Sequence, residues 1–177
     1  VDDVDKQDED FLPSGKKEWT QEKIDRKIEN IANVVSAMNG GKGPSILGVT
    51  EVEHQHLLDS MLIRHYNNRN YKIAYSESLD KRGIDNGLIY DADIFSFNYL
   101  DTIRVDLESG YPTRYLFQVN LTHSSGKGIN LFVNHWPSRS GGEEKSRPNR
   151  IKAATILREK VNQLFCSDKN SSIIIMG

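Results

Sequence analysis

With a single cysteine, Cys166, in 177 residues, the chain has no intramolecular disulfide to staple it. That cysteine lies in a helix-like stretch, where the expectation is a small, buried, apolar role. No run of about eighteen apolar residues occurs, so no transmembrane helix is expected. The first residues do not read as a signal peptide, and Val1 is expected to be a point inside a longer reading frame, with both ends looking cut. Excess positive charge is missing too. Lys plus Arg number 23 against 25 Asp plus Glu, for a net charge of -2, so bulk charge does not coat nucleic acid and any phosphate binding must be local. His54, His56, His65 and His123 have no zinc spacing with cysteine. Asp3, Asp5 and Asp8 lack the glycine and closing glutamate of a calcium loop. Ser138 lacks the glycine-flanked elbow of a Ser/His/Asp hydrolase.

What is present suits one domain over residues 1–177, with 37% hydrophobic and 27% charged residues and no repeat or low-complexity tract. Val1 to Asp10 is acidic and predicts a solvated, mobile lead-in. Thr20 is a plausible N-cap for an amphipathic helix over Gln21 to Met38, with Ile24, Ile28, Ile31, Val35 and Met38 at helical spacing and Asn39-Gly40-Gly41 as its stop. Ser45 to Val49 predicts a buried strand that delivers Thr50-Glu51-Val52-Glu53 at its end. Leu57, Leu58, Met61 and Leu62 give a second helix, and the strand Tyr71 to Tyr75 follows, a crossover that favours parallel pairing with the first strand. Leu88 to Tyr90, Phe95 to Val105 and Thr113 to Thr122 predict further strands, the last two antiparallel. Ile151, Ala154, Leu157, Val161 and Leu164 predict a third amphipathic helix, and Ile173 to Met176 a final strand. Such a mixture indicates an α/β (α+β) layered fold.

The stretch Phe132-Val133-Asn134-His135-Trp136-Pro137-Ser138-Arg139-Ser140-Gly141-Gly142 concentrates the chemistry. Ile129, Leu131 and Val133 alternate as in a half-buried strand, and Pro137 has no N–H with which to continue the ladder. An amide, an imidazole, an indole, a hydroxyl and a guanidinium therefore emerge where the strand stops. An isolated His-Trp pair would more simply cap a core, but Asn134, Ser138, Arg139 and Arg150 favour a site. Glu51 ends a buried strand and can anchor a hydrated Mg²⁺, for which one carboxylate suffices; alone, it could equally be a solvated turn residue. Glu51 and Glu53 point to one side of an ideal strand. Arg82, Arg114, Arg139, Arg147 and Arg150 offer donor forks for phosphate oxygens. His135 can orient or protonate an oxyanion, with Asp85 as the expected carboxylate partner that raises its pKa.

These residues resemble the endonuclease/exonuclease/phosphatase superfamily. The resemblance runs through Ile46-Leu47-Gly48-Val49-Thr50-Glu51-Val52-Glu53, Arg82-Gly83-Ile84-Asp85-Asn86-Gly87-Leu88-Ile89-Tyr90, Val133-Asn134-His135-Trp136-Pro137-Ser138-Arg139 and Ile173-Ile174-Ile175-Met176-Gly177. The third segment, with Gly141-Gly142, Ser146 and Arg150 behind it, is the specific one. The chain looks most like a bacterial branch with the lead-in Asp8-Glu9-Asp10-Phe11-Leu12-Pro13 and Trp19-Thr20. The resemblance implies a four-layer sandwich of two mixed β-sheets flanked by helices, incomplete here, that cleaves phosphoester bonds with Mg²⁺ or Mn²⁺. By family position it implies Glu51 as metal ligand and His135 at the scissile phosphate, with Thr50 in place of the usual glutamine. It also implies that an early asparagine strand precedes Val1, and that an Asp-x-Asn pair and a later Asp-His pair follow Gly177, so residues 1–177 alone are expected to be inactive. The expected reaction is phosphodiesterase or nuclease-type cleavage by in-line water attack. Its site comprises His135 and Asp85 as catalytic residues, Glu51 for the metal, and Asn134, Arg82, Ser138, Arg139 and Arg150 for phosphate. The expected partner is a phosphate ester, with nucleic acid, phospholipid head groups and inositol phosphates as candidates. The rival reading is a catalytically inactive module of the same fold that binds a phosphate ligand.

Overall fold

A computed structural model describes residues 6–177 except 81, 108, 109, 111, 112 and 140, with the backbone alone for residues 6–8. The acidic lead-in lies outside the described residues through Asp5, as does Ser140 of the quoted motifs. From Lys6 to Phe11 the chain forms a 3-10 helix. The remaining order is α1 (Gln21–Gly41), β1 (Ile46–Val52), α2 (Gln55–His65), β2 (Tyr71–Ser76), β3 (Asp85–Asp91), β4 (Phe95–Ile103), β5 (Leu116–His123), β6 (Gly128–Val133), α3 (Glu143–Ser167) and β7 (Ser172–Met176).

Two sheets form, in the orders β1-β3-β2 and β4-β5-β6-β7. Alternation along each strand sorts the side chains into three apolar layers. Between the sheets, Leu88 and Tyr90 of β3 meet Phe117, Val119, Leu131 and Val133 of β5 and β6. On the outer face of the first sheet, Ile89 packs with Ile28, Ala32 and Val35 of α1 and with Leu58 and Met61 of α2. On the outer face of the second, Leu116 and Phe132 pack with Ala153, Leu157 and Val161 of α3. The result is the expected helix–sheet–sheet–helix order of four layers.

Some expectations change. β1 and β2 do not pair with each other, because β3 lies between them and is antiparallel to both. The α2 crossover does make them run the same way, but the late strand takes the central place. Among the described residues only β6 and β7 form a parallel pair, joined by the α3 crossover. In α1 the helical backbone stops at Met38, and Asn39 and Gly40 take positive φ, as the Asn-Gly-Gly stop predicts. Thr20 occupies the N-cap position without a side-chain cap bond. In α3 the buried stripe is Ala153, Leu157 and Val161, whereas Ile151 is exposed, so the apolar phase starts two residues later than the spacing suggests. Cys166 is exposed, not buried. Among the described residues no helix is long and apolar enough to cross a membrane.

Leu131 is 0% exposed between the two sheets, and Ile175 is 52% exposed on β7. Leu131→Ala is therefore expected to cost about 2–5 kcal/mol by leaving a cavity. Ile175→Thr should stay within about 0.5 kcal/mol. Denaturant unfolding of both variants checks the assignment of the inter-sheet core.

Candidate active site

The site lies where β1 and β6 end. In β1, Gly48 faces the second sheet so closely that a Cβ there would stand 3.3 Å from Val133 Cγ2 and 3.5 Å from the Met176 side chain. The lack of a side chain at Gly48 lets the sheets approach beneath the strand ends. Glu51 then interrupts the ladder: Thr50 pairs with Asn86 and Val52 with Asp85, leaving Glu51 as an unpaired bulge residue with φ 60. A bulge re-aims its side chain, and positive φ at a non-glycine residue costs free energy that is most often found at functional sites. The period-two expectation that aligned Glu51 with Glu53 fails at this bulge. The Glu51 carboxylate reaches His135, with Oε1 3.5 Å from Nε2, while its side chain remains 64% exposed.

On the β6 side, Asn134 is held by β7. Its backbone N–H and its side-chain amide both donate to the Met176 carbonyl, at 2.9 and 3.1 Å. Gly177 sits so close that a Cβ would meet the Asn134 carbonyl oxygen at 2.2 Å. His135 follows, partly buried, with its pKa held below the ordinary 6.5: burial contributes most, Arg114 adds to it, and Glu51 opposes. The imidazole is thus neutral near pH 7, the reverse of the raised pKa expected from an adjacent carboxylate.

Asp85 is not the partner of His135. Along β3 the pleat turns Asn86 toward the second sheet, where its amide donates to Tyr115 O (3.0 Å) and Val133 O (3.4 Å). Asp85 faces the other way. Its carboxylate accepts from the Tyr75 hydroxyl at 2.5 Å and from the Ser78 N–H at 2.6 Å. Burial first, and then this bond, push the Tyr75 phenol pKa far up, so the hydroxyl stays a donor. Asp85 anchors the segment entering β3.

The arginines divide. Arg150 is taken up by the start of α3, donating to Ser146 Oγ (2.6 Å), Glu143 O (3.1 Å) and Ser138 O (3.5 Å). Arg139 pairs with Glu143 at 3.6 Å and is 72% exposed. Ser138 is exposed on the same loop. These three expected phosphate contacts order the loop that leaves the site. Arg82 and Arg114 instead converge on Asp80, a residue the sequence reading did not single out. The Asp80 carbonyl accepts from the Gly83 N–H, and nothing short of the fold brings Arg114, 34 residues away, to its carboxylate.

Burial pushes the Asp80 pKa up, but hydrogen bonds from Arg82 and Arg114 outweigh it and leave the group at about 2, below its ordinary 3.8. Five buried polar atoms without a partner surround these strand ends: Asn86 Oδ1, Arg114 Nε, Asn134 Oδ1, His135 Nδ1 and Trp136 Nε1. Uncompensated polar atoms are costly in a fold, so their gathering at one place makes these strand ends the candidate site. An apolar groove of about 590 Å³, lined by Ile28, Leu47, Val49 and Met61, also has Glu51 and Arg82 in its wall.

The donor set fits a hydrated hard cation, since a solvent-accessible carboxylate at Glu51 supplies an oxygen ligand of the right kind. Among the described residues no cluster of three or more His, Cys, Asp or Glu forms a closed metal cage.

Asp80 has its folded pKa lowered, so its contribution to stability is complete above pH 3.8 and is lost as the pH falls through about 2. The stability deficit of Asp80→Asn relative to wild type is therefore expected to be constant from neutral pH down to about 4 and to narrow below it. Thermal melts of both proteins across this acid range measure the difference.

Comparison with known proteins supplies the family. The described fold resembles a Bacteroides thetaiotaomicron endonuclease/exonuclease/phosphatase family protein, with TM-score 0.67, 17% identity, and 92% of this chain and 57% of that one covered. The catalytic domain of human Nocturnin with bound sulfate anion gives TM-score 0.63 at 16% identity, covering 90% and 57%. A mannosyl-6-phosphatase of Bacteroides thetaiotaomicron gives 0.63 at 17% identity, covering 86% and 55%. The chain spans little more than half the length of these structures, and identities this low establish the shared fold alone. No curated protein matches its sequence. The family model described as the Endonuclease/Exonuclease/phosphatase family matches residues 1–177, and the chain belongs to that family.

Proposed function

We propose that this chain carries part of the active site of a divalent-metal-dependent phosphoester hydrolase, of phosphodiesterase or nuclease type. The observation that carries the reading is the bulged Glu51, held in positive φ at the end of β1 with its carboxylate beside His135. The likeness of the fold to a mannosyl-6-phosphatase, and to a catalytic domain solved with a bound sulfate anion, supports phosphoester chemistry for this fold.

Glu51 would hold a hydrated Mg²⁺ or Mn²⁺, which when bound neutralises charge on the phosphate and on the departing oxygen. His135, neutral near pH 7, can donate from Nε2 to a phosphate oxygen and so stabilise the charge that grows there as water attacks phosphorus and the ester P–O bond breaks. Asn134, pinned through its amide to Met176 O, fixes the start of the His135 segment. Arg82, 55% exposed, adds guanidinium donors to the same oxyanion. Substrate choice within the phosphoesters rests with the groove and the loops around it, and nucleic acid is the class favoured here.

Glu51→Gln removes the charge while preserving shape. It is expected to weaken Mg²⁺ binding about tenfold or more in calorimetry, with the melting temperature nearly unchanged. Equal affinities in the two proteins would remove the metal assignment. In the full-length protein, His135→Ala is expected to lower turnover of bis-p-nitrophenyl phosphate about a hundredfold, the scale of a positioned proton donor. A change of only a few-fold would make the histidine a structural cap.

A further inference from the structure

Asp80 is the most heavily coordinated carboxylate near the site. Its Oδ1 accepts from the Arg82 backbone N–H at 3.0 Å and from Arg82 Nε at 3.1 Å. Its Oδ2 accepts from Arg82 Nη2 at 3.2 Å and from Arg114 Nη1 at 2.9 Å. These four bonds match the acceptor capacity of a carboxylate. The side chain is 9% exposed. Arg114 is 6% exposed and also donates from Nη2 to Trp136 O at 3.3 Å, which ties the loop before β3 to the peptide that follows His135.

The charges do not balance. Two guanidinium groups share one carboxylate, leaving a net charge of +1 on this trio, beside the Glu51 carboxylate and His135. Arg82 uses its Nε–H and one Nη2–H on Asp80, so three of a guanidinium's five N–H groups remain for a ligand. It acts electrostatically on both His135 and Glu51, and it shares the groove wall with Glu51. Beneath it, Arg114 Nε is buried and has no partner. A free arginine side chain would lose rotamer entropy on binding phosphate; one already forked onto a carboxylate has lost it in folding.

We propose that Asp80 is a positioning residue, which gathers Arg82 and Arg114 on one carboxylate and presents Arg82 as a fixed phosphate-oxygen anchor beside Glu51 and His135. The proposal rests on the phosphoester reading and adds the device by which the anion is oriented. The competing role for Asp80 is purely structural: neutralising the buried Arg114.

The two roles differ in sign when metal-free inorganic phosphate is titrated into the 177-residue protein and followed by NMR. Removing a negative charge next to an anion site strengthens phosphate binding by simple Coulomb attraction. If Asp80 positions Arg82, Asp80→Asn instead weakens phosphate binding, about tenfold, the scale of one lost charge-assisted bond. Arg82→Gln should weaken it to a similar degree, and the double variant should lose little more, because the two residues act as a unit. Arg82→Lys keeps the charge but not the fork, and the same loss is expected there; this variant decides the matter if Asp80→Asn does not fold. Phosphate affinity at or above wild type in Asp80→Asn, wild-type affinity in Arg82→Lys, or no saturable phosphate binding by the wild type would each overturn the proposal. Because the titration contains no metal, such a failure is separable from failure of the Glu51 assignment, which Mg²⁺ calorimetry reads independently.

Discussion

The site depends on the close contact between the two sheets. Leu88 and Tyr90 from one sheet, with Phe117, Val119, Leu131 and Val133 from the other, form a layer that excludes water. A one-residue slip in any of these strands would turn its apolar set outward, so burial fixes the register. With the register fixed and Gly48 allowing β1 to approach Val133, the ends of β1 and β6 have only one relative position. Glu51 and His135 meet there without any direct sequence link. The apolar layer provides the force, and the polar strand ends inherit its precision.

That placement has a cost, concentrated at the strand ends. Glu51 sits in a backbone conformation that disfavours a side chain, and unpartnered buried polar atoms of Asn86, Arg114, Asn134, His135 and Trp136 gather nearby. A chain selected only for stability would bond these atoms or replace them with apolar groups. The groups with satisfied bonds are the supports: Asp85 with Tyr75 and Ser78, and Arg150 with the first turn of α3. The division is physically sensible, because a rigid surround must be saturated while the surfaces that meet a ligand must keep capacity.

Much of this was legible in the sequence. Alternation in Phe117, Val119 and Leu121, the helical spacing in α1 and the Asn-Gly-Gly stop each act locally, so the strand, the helix and its end could be read without the fold. The nearness of Glu51 and His135 to strand ends was legible for a related reason, since each stands two residues past the end of an apolar run. What failed was non-local. The insertion of β3 between β1 and β2 is a choice among pairings that no single segment encodes. The bulge at Glu51 defeats period-two reasoning at the one residue where direction mattered most. Asp85 and Asn86 are neighbours whose roles are settled by which face of β3 each occupies; an adjacent acid was assigned to the histidine when it is the amide that turns toward β6. Arg139 and Arg150 were grouped by proximity in sequence, yet both serve the start of α3.

Electrostatics distinguish the convergent arginines from those adjacent to His135 in sequence. Arg139, 72% exposed, is screened by solvent, and its pairing with Glu143 contributes little. Arg114 is different, because a buried guanidinium must be paired, and its carboxylate must in turn be saturated to remain charged. Asp80 meets both demands and recruits Arg82 in doing so. Once Arg82 is fixed, it bears on Glu51 and His135 from a constant position, and the field at the strand ends becomes a property of the fold. The same network that holds Arg114 below the surface thereby sets the orientation of the exposed cation above it, coupling the packing of β5 and β6 to the charge that faces the groove.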